Sequence, residues 1–242
     1  VKTLASAVSL FLFVFVVASC GQSNKLASYA PADLLAQAEL DMEAGPTDPA
    51  RYVAANKKLE TYLASNPTDI SARSLYAASF AAQAGVTLVG IITKMVSGAV
   101  GGGGGGGSED PMSLLETFVG DATEANVALL KNASENMVAI DIATQTSSMK
   151  YQTGIFQSMY GVLLTKKLKD DFTNIGTIDI NNAQALLDAL LASKDLLKDG
   201  ATAPLSQEID SVLTKIQTDN GGTLDAAAID AWIRASQTPP SP

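Results

Sequence analysis

The 242-residue chain carries 16 basic and 25 acidic side chains, a formal net charge of −9, and is 47% apolar. That apolar fraction supports a sizeable core and argues against wholesale disorder, and the acidic balance argues against broad binding to phosphate backbones. The single cysteine, Cys20, excludes an intrachain disulfide, and the lack of histidine removes His-based acid–base chemistry and most transition-metal sites.

Lys2 is the only charge before Lys25. An apolar stretch from Leu4 to Val17 follows it, with its strongest part at Leu10-Phe11-Leu12-Phe13-Val14-Phe15-Val16-Val17, and small residues close it. A short basic start, an apolar run and a small-residue end predict a secretory signal over residues 1–19. The bulky run is too short for a permanent span, and Val1 fits a GTG start codon. The sole cysteine comes directly after the run. Val17-Ala18-Ser19-Cys20 resembles the lipobox of bacterial lipoproteins; an ordinary signal peptide with a chance cysteine is the plainer alternative. The resemblance implies lipidation of the Cys20 thiol and cleavage before it, so that acyl chains hold the mature protein at a membrane. Gly21 stands where enterobacterial members retained at the inner membrane carry Asp. This implies outer-membrane sorting, with the periplasmic face as the expected location.

Residues 21–30 read as a polar tether. Beyond them the pattern is helical, rich in Ala and Leu and poor in β-branched alternation. Helices are predicted over about 31–44, 50–65, 69–84, 86–97, 111–119, 121–140, 145–170, 181–198, 205–218 and 223–236. Breaks fall at Gly45-Pro46, Asn66-Pro67, Gly85, the glycine run, Gly176, Gly200 with Pro204, and Gly221-Gly222. Asp110-Pro111 suits an N-cap with Pro at the first helical position, and Ser113 with Glu116 offers a capping box instead. The seven glycines at 101–107 read as a flexible loop, because each loses much backbone entropy on ordering. A phosphate-binding loop is the sharper reading. It fails because no Gly-Lys-Ser/Thr follows, no apolar strand precedes, and Ser108-Glu109-Asp110 places acid where phosphate would sit. The uncharged stretch from Ser74 to Thr93 is mostly Ala, Gly and hydroxyl residues, too weakly apolar for a membrane span. Two buried helices hinged at Gly85 are expected there. Residues 31–236 thus form one helical domain, with a disordered tail at 237–242 that includes Pro239, Pro240 and Pro242.

Residues 50–85 carry the most informative internal pattern. Ala55 and Leu59 precede Asn66-Pro67, and Tyr76, Ala77 and Phe80 follow it. This resembles the junction between two tetratricopeptide repeats, with Pro67 as the turn proline and a large–small–aromatic set on the next helix. Arg73 departs from that pattern, standing where an aromatic is common, and Gly85 falls about one residue late. Only weak echoes of a second copy occur, at Leu34/Leu35/Ala38/Met42 and at Ala183/Leu187/Leu190/Leu191. The fold class expected is all-α, built from antiparallel helix pairs as a tetratricopeptide-like solenoid or an irregular bundle.

No residue set points to catalysis. The near pairs Asp41/Glu43, Glu109/Asp110, Glu135/Asp141, Asp170/Asp171, Glu208/Asp210 and Asp225/Asp230 read as solvated helix faces rather than acid–base pairs. Lys166, Lys167 and Lys169 read as a solvated helix end, with weak contact to anionic headgroups as the alternative. Asp219 to Asp225 has the composition of a calcium loop without its spacing, so a turn before a helix capped by Thr223 is expected. Ala226 to Ala235 resembles the closing helix of c-type cytochrome domains, but there is no Cys-x-x-Cys-His, and Trp232 is expected to pack. Neither a cofactor nor a metal is expected. Tyr151, Phe156, Met159 and Tyr160 form an aromatic-rich helical face. Core packing is the default for it, and a cavity or partner groove the sharper reading. The candidate cavity or partner surface is therefore Tyr76, Phe80, Tyr151, Phe156 and Tyr160. The function expected is a lipid-anchored scaffold that presents a helical surface to a protein or peptide. The chain also distantly resembles the helical lipoprotein that accompanies some periplasmic solute-binding transporters, which implies an apolar or acidic small ligand in a cavity lined by Leu75–Val100 and Tyr151–Leu164. A structural role like that of the tetratricopeptide lipoprotein of outer-membrane barrel assembly is a minor third reading.

Overall fold

Local capping chemistry sets where most of the helices start. The computed structural model describes residues 33–87, 90–91, 116, 118–198 and 203–237, which hold eight α-helices and no strand. These are α1 (Leu34–Ala44), α2 (Ala50–Ser65), α3 (Ile70–Gln83), α4 (Glu124–Val138), α5 (Ser147–Ile175), α6 (Ile180–Leu196), α7 (Ala203–Asp219) and α8 (Ala226–Gln237). Asp69, Thr123, Thr146 and Asp179 each accept a backbone N–H of the first turn that follows, satisfying donors the helix itself leaves open. At the far end of α5, Gly176 adopts φ 71°, the left-handed stop that glycine reaches without strain.

The helix corner expected at Asn66-Pro67 is present: α2 ends at Ser65 and α3 begins at Ile70. Arg73, the departure from the repeat pattern, fastens this corner. It donates to the Pro67 carbonyl at 2.9 Å and to Asn136 Oδ1 of α4 at 3.4 Å. Where the sequence suggested that the fifth of these helices ends near residue 170, it runs to Ile175, because Lys167 pairs with Asp171 one turn on and Gly176 supplies the stop. Thr223 was the expected cap of the last helix. Instead Asp225 Oδ1 accepts the Ala228 N–H at 2.8 Å, after Gly221 and Gly222 turn the chain at positive φ. The signal segment, Cys20, the tether, the glycine run, Asp110-Pro111, Ser113 and the residues after Gln237 lie outside the described residues, as does most of the helix expected at 86–97. No described helix is long and apolar enough to cross a membrane.

From α2 to α6 each helix packs against the next in the chain, and α7 and α8 close against α6, with α8 also touching α5. Short connections make the neighbours antiparallel. A small core joins α1, α2 and α3 through Ala38, Ala55, Leu59, Leu63 and Ala72. The main core runs from α3 to α8 and includes Ala77, Leu130, Met137, Phe156, Leu163, Leu190, Ile209 and Trp232. α3 serves both, which explains its alanines: it is packed on two faces, and small side chains allow close approach on each.

α5 is the axis of the fold. Every residue from Gln152 to Thr165 is buried, so this stretch is enclosed on all sides rather than along one stripe. Its closest neighbour is α6. A Cβ on Gly154 would lie 2.8 Å from Leu197 Cγ and 2.9 Å from Leu196 Cβ, and one on Gly161 would lie 3.1 Å from Leu190 Cδ2. Two glycines seven positions apart face the same neighbour, and they let α6 settle directly onto the α5 backbone.

Candidate functional site

Most of the charged groups singled out in the sequence are committed to structure. Asp41 is not on a solvated face: it is 4% exposed and accepts from Arg51 Nη1 at 3.0 Å and Lys58 Nζ at 2.5 Å. Burial pushes its pKa up, but the hydrogen bonds and charges of Lys58 and Arg51 outweigh that and hold it below its ordinary value. The lysine cluster is not a solvated helix end either. Lys166 donates to the Gly120 carbonyl, Lys167 sits between Glu124 and Asp171, and Lys169 reaches Glu116 at 3.1 Å. The side chains of Lys167 and Lys169 are only 14% and 16% exposed, so no headgroup-facing patch remains from them. The Glu124 hydrogen bond is the main cause of the raised Lys167 pKa.

Two grooves run beside α5. The first, about 350 Å³, is bounded by α1, α3 and the start of α5, with Leu35, Ser74, Leu75 and Gln152 in its lining. The second lies between α4 and α6, with α5 as its floor. It consists of a half of about 310 Å³ around Tyr160 and a half of about 430 Å³ around Thr153, and both halves share Gln157 and Ala192. The floor is Thr153, Gln157 and Tyr160. One wall carries Ser134 and Val138, the other Ala185, Ala189 and Ala192. The lining carboxylates are Glu135 and Asp188 in one half and Asp141 and Asp195 in the other, against a single lysine, Lys131, which lies 3.7 Å from Glu135. Exposed Val138 and Ile142 add an apolar edge beside Thr153.

The described core holds three glutamines, equally buried at 8–9% exposure: Gln145, Gln152 and Gln157. Gln145 Nε2 donates to the Met137 and Ile140 carbonyls at the open end of α4, and its Oε1 accepts from Thr153 Oγ1 at 3.1 Å. Gln152 pairs twice with one residue of α3, accepting from Ser74 Oγ at 2.9 Å and donating to the Ser74 carbonyl at 3.1 Å. Gln157 makes no such bond, and its fully buried Oε1 has no partner. An unpaired buried polar group costs about 1–3 kcal/mol. Around Gln157 stand two more buried polar side chains, Ser134 at 7% and Tyr160 at 9% exposure, and neither hydroxyl bonds a described residue. Burial, helped by the Glu135 charge, raises the Tyr160 pKa and keeps its proton available for donation.

The structure separates the five aromatics expected to line one surface. Tyr160 is in the second groove. Phe156, 1% exposed, faces the main core and is closed to a ligand, because α5 is enclosed on that side too. Tyr151 is half-buried at the start of α5. Tyr76 and Phe80 form an edge-to-face pair with centroids 4.7 Å apart, the first packed on the small core and the second on the main one. They join the two cores. The aromatic spacing led to Tyr160, but Gln157 was seen only as a polar member of the same helix. Its importance lies in the lack of any group opposite it, and no sequence pattern carries that. Among the described residues no cluster of three or more metal-ligating side chains occurs. No protein-family model, curated protein or solved structure matches the chain.

Proposed function

We propose that this protein is a lipid-anchored scaffold of the bacterial envelope that captures a protein segment in the groove between α4 and α6. The observation that carries the binding part is the second groove itself: a formed channel whose floor holds a buried amide and a buried phenol without internal partners. Groups of this kind are what a binding site keeps ready for a ligand. The anchor rests on Val17-Ala18-Ser19-Cys20 and its resemblance to the lipobox. The scaffold reading draws on the resemblance of residues 50–85 to a tetratricopeptide junction, together with helices that pack each on the next. Outer-membrane sorting and the periplasmic face follow from Gly21 by the same resemblance. Chemical crosslinking in whole cells, with the lipidated chain and a Cys20→Ala control, tests the whole. The expected result is one dominant protein adduct, and an alkyne fatty-acid label that disappears in the control. Label on both chains, or none on either, would remove the anchor.

A second reading has one observation in its favour. The larger half of the groove, about 430 Å³, is within the size range of small-ligand pockets, as expected of an accessory component in periplasmic transport. Native mass spectrometry of the purified protein distinguishes the two: a retained small molecule of constant mass favours transport, and a bare chain favours the scaffold.

A further inference from the structure

We infer that the groove between α4 and α6 takes an extended peptide segment carrying a basic side chain, its main chain paired to Gln157 and its cation held by Glu135 and Asp188. This rests on the scaffold reading and gives its partner a chemistry. A primary amide offers one acceptor and two donors in a plane, the complement of a peptide unit: a main-chain N–H donates to Oε1 and the neighbouring C=O accepts from Nε2. Gln152 already makes this double contact with Ser74 on the same helix. Gln157 is as buried as Gln152 and makes none.

Three further features fit that occupant. The α6 wall presents Ala185, Ala189 and Ala192, which leave room for a main chain to lie close. From Thr153 to Tyr160 the floor rises about 10 Å, the length of roughly three extended residues. The lining carboxylates outnumber the lone Lys131, so the groove favours lysine or arginine over acidic side chains and disfavours phosphate-bearing ligands. The Tyr160 hydroxyl supplies a second contact one helical turn from Gln157.

The test uses the full chain purified in detergent and three pools of acetylated, amidated hexapeptides with Lys, Glu or norleucine fixed at one scanned position. The Lys pool is expected to bind about tenfold more tightly than the Glu pool, and the preference should weaken with added salt. Gln157→Leu should lower Lys-pool affinity about tenfold while circular dichroism and melting show a folded chain. Glu135→Gln combined with Asp188→Asn should erase the Lys preference and keep residual binding. Equal binding of the Lys and Glu pools, or undiminished binding by Gln157→Leu, overturns the inference. Failure of the scaffold reading is separable from this by a photo-crosslinking residue placed in cells at Ala192 or, in the first groove, at Ser71. Protein adducts at Ala192 support the inference. Adducts at Ser71 alone overturn it and leave the scaffold standing, and adducts at neither overturn both.

Discussion

The two grooves beside α5 are built from the same materials and finished differently. Each has a glutamine on its floor, five residues apart on one helix and equally buried. In the groove between α1, α3 and α5, Gln152 is closed by Ser74 and acts as a fastener between helices. Between α4 and α6 nothing closes Gln157. A buried amide is therefore structural or receptive according to what stands opposite it. The difference arises because α3 reaches the start of α5, whereas α4 and α6 flank its middle with small side chains, Ser134 and the α6 alanines, that do not extend to the floor.

The comparison can be broken outright by emptying the core beneath both grooves. Phe156→Ala should destabilise the protein by about 3–5 kcal/mol and reduce occupancy of either groove, read as a lower urea midpoint with two-state behaviour retained. Gln145→Ala and Gln152→Leu come next, at about 1–3 kcal/mol each, because carbonyls, a threonine or a serine lose partners. Gln157→Leu sharpens the contrast. It removes a polar group that is already unpaired, so its melting temperature should equal or exceed that of the parent, opposite in sign to Gln152→Leu. A melting temperature for Gln157→Leu as low as that of Gln152→Leu would mean that the amide is structural after all.

Acid should act first on the α1–α3 end. Asp69 is held below its ordinary value chiefly by the Ala72 backbone N–H, against the opposing effect of burial and with help from the Tyr62 hydroxyl, and Asp41 by Lys58 and Arg51. Lowered carboxylates stabilise the folded state above their ordinary value of 3.8, and that contribution disappears as pH falls through the folded-state values. Amide exchange in α1 to α3 should accelerate on acidification before exchange in α5 and α6, and Asp41→Asn should blunt the trend. The smallest effect is expected at Gly176, where φ is +71°. Gly176→Ala should cost about 1 kcal/mol and leave both grooves unchanged.

Much of the fold was legible because its causes are local. Alanine and leucine content, Asx and Thr caps and the Asn66-Pro67 break act within a turn or two of themselves, so the α2 bounds and the corner before α3 follow from the residues alone. The Cys20 motif is local in the same way. Where the reading departed from the structure, the deciding group was distant in the chain or in competition with a neighbour. Asp41 is buried because Lys58 and Arg51 come across from α2, Lys169 because Glu116 lies beside it, and the last helix is capped by Asp225 because the paired glycines turn the chain two residues later than Thr223 requires.

The sequence by itself determined that this chain is all-helical, where most of its helices start, and where the corner after α2 falls, since hydrogen bonds within a turn and side-chain entropy decide those matters. Only the tertiary structure decided which polar groups are consumed and which are left receptive. Gln145, Gln152 and Gln157 are the same residue on or beside the same helix. The free energy of each depends on a partner brought to it by packing, so their roles come into being only when α3, α4 and α6 close around α5.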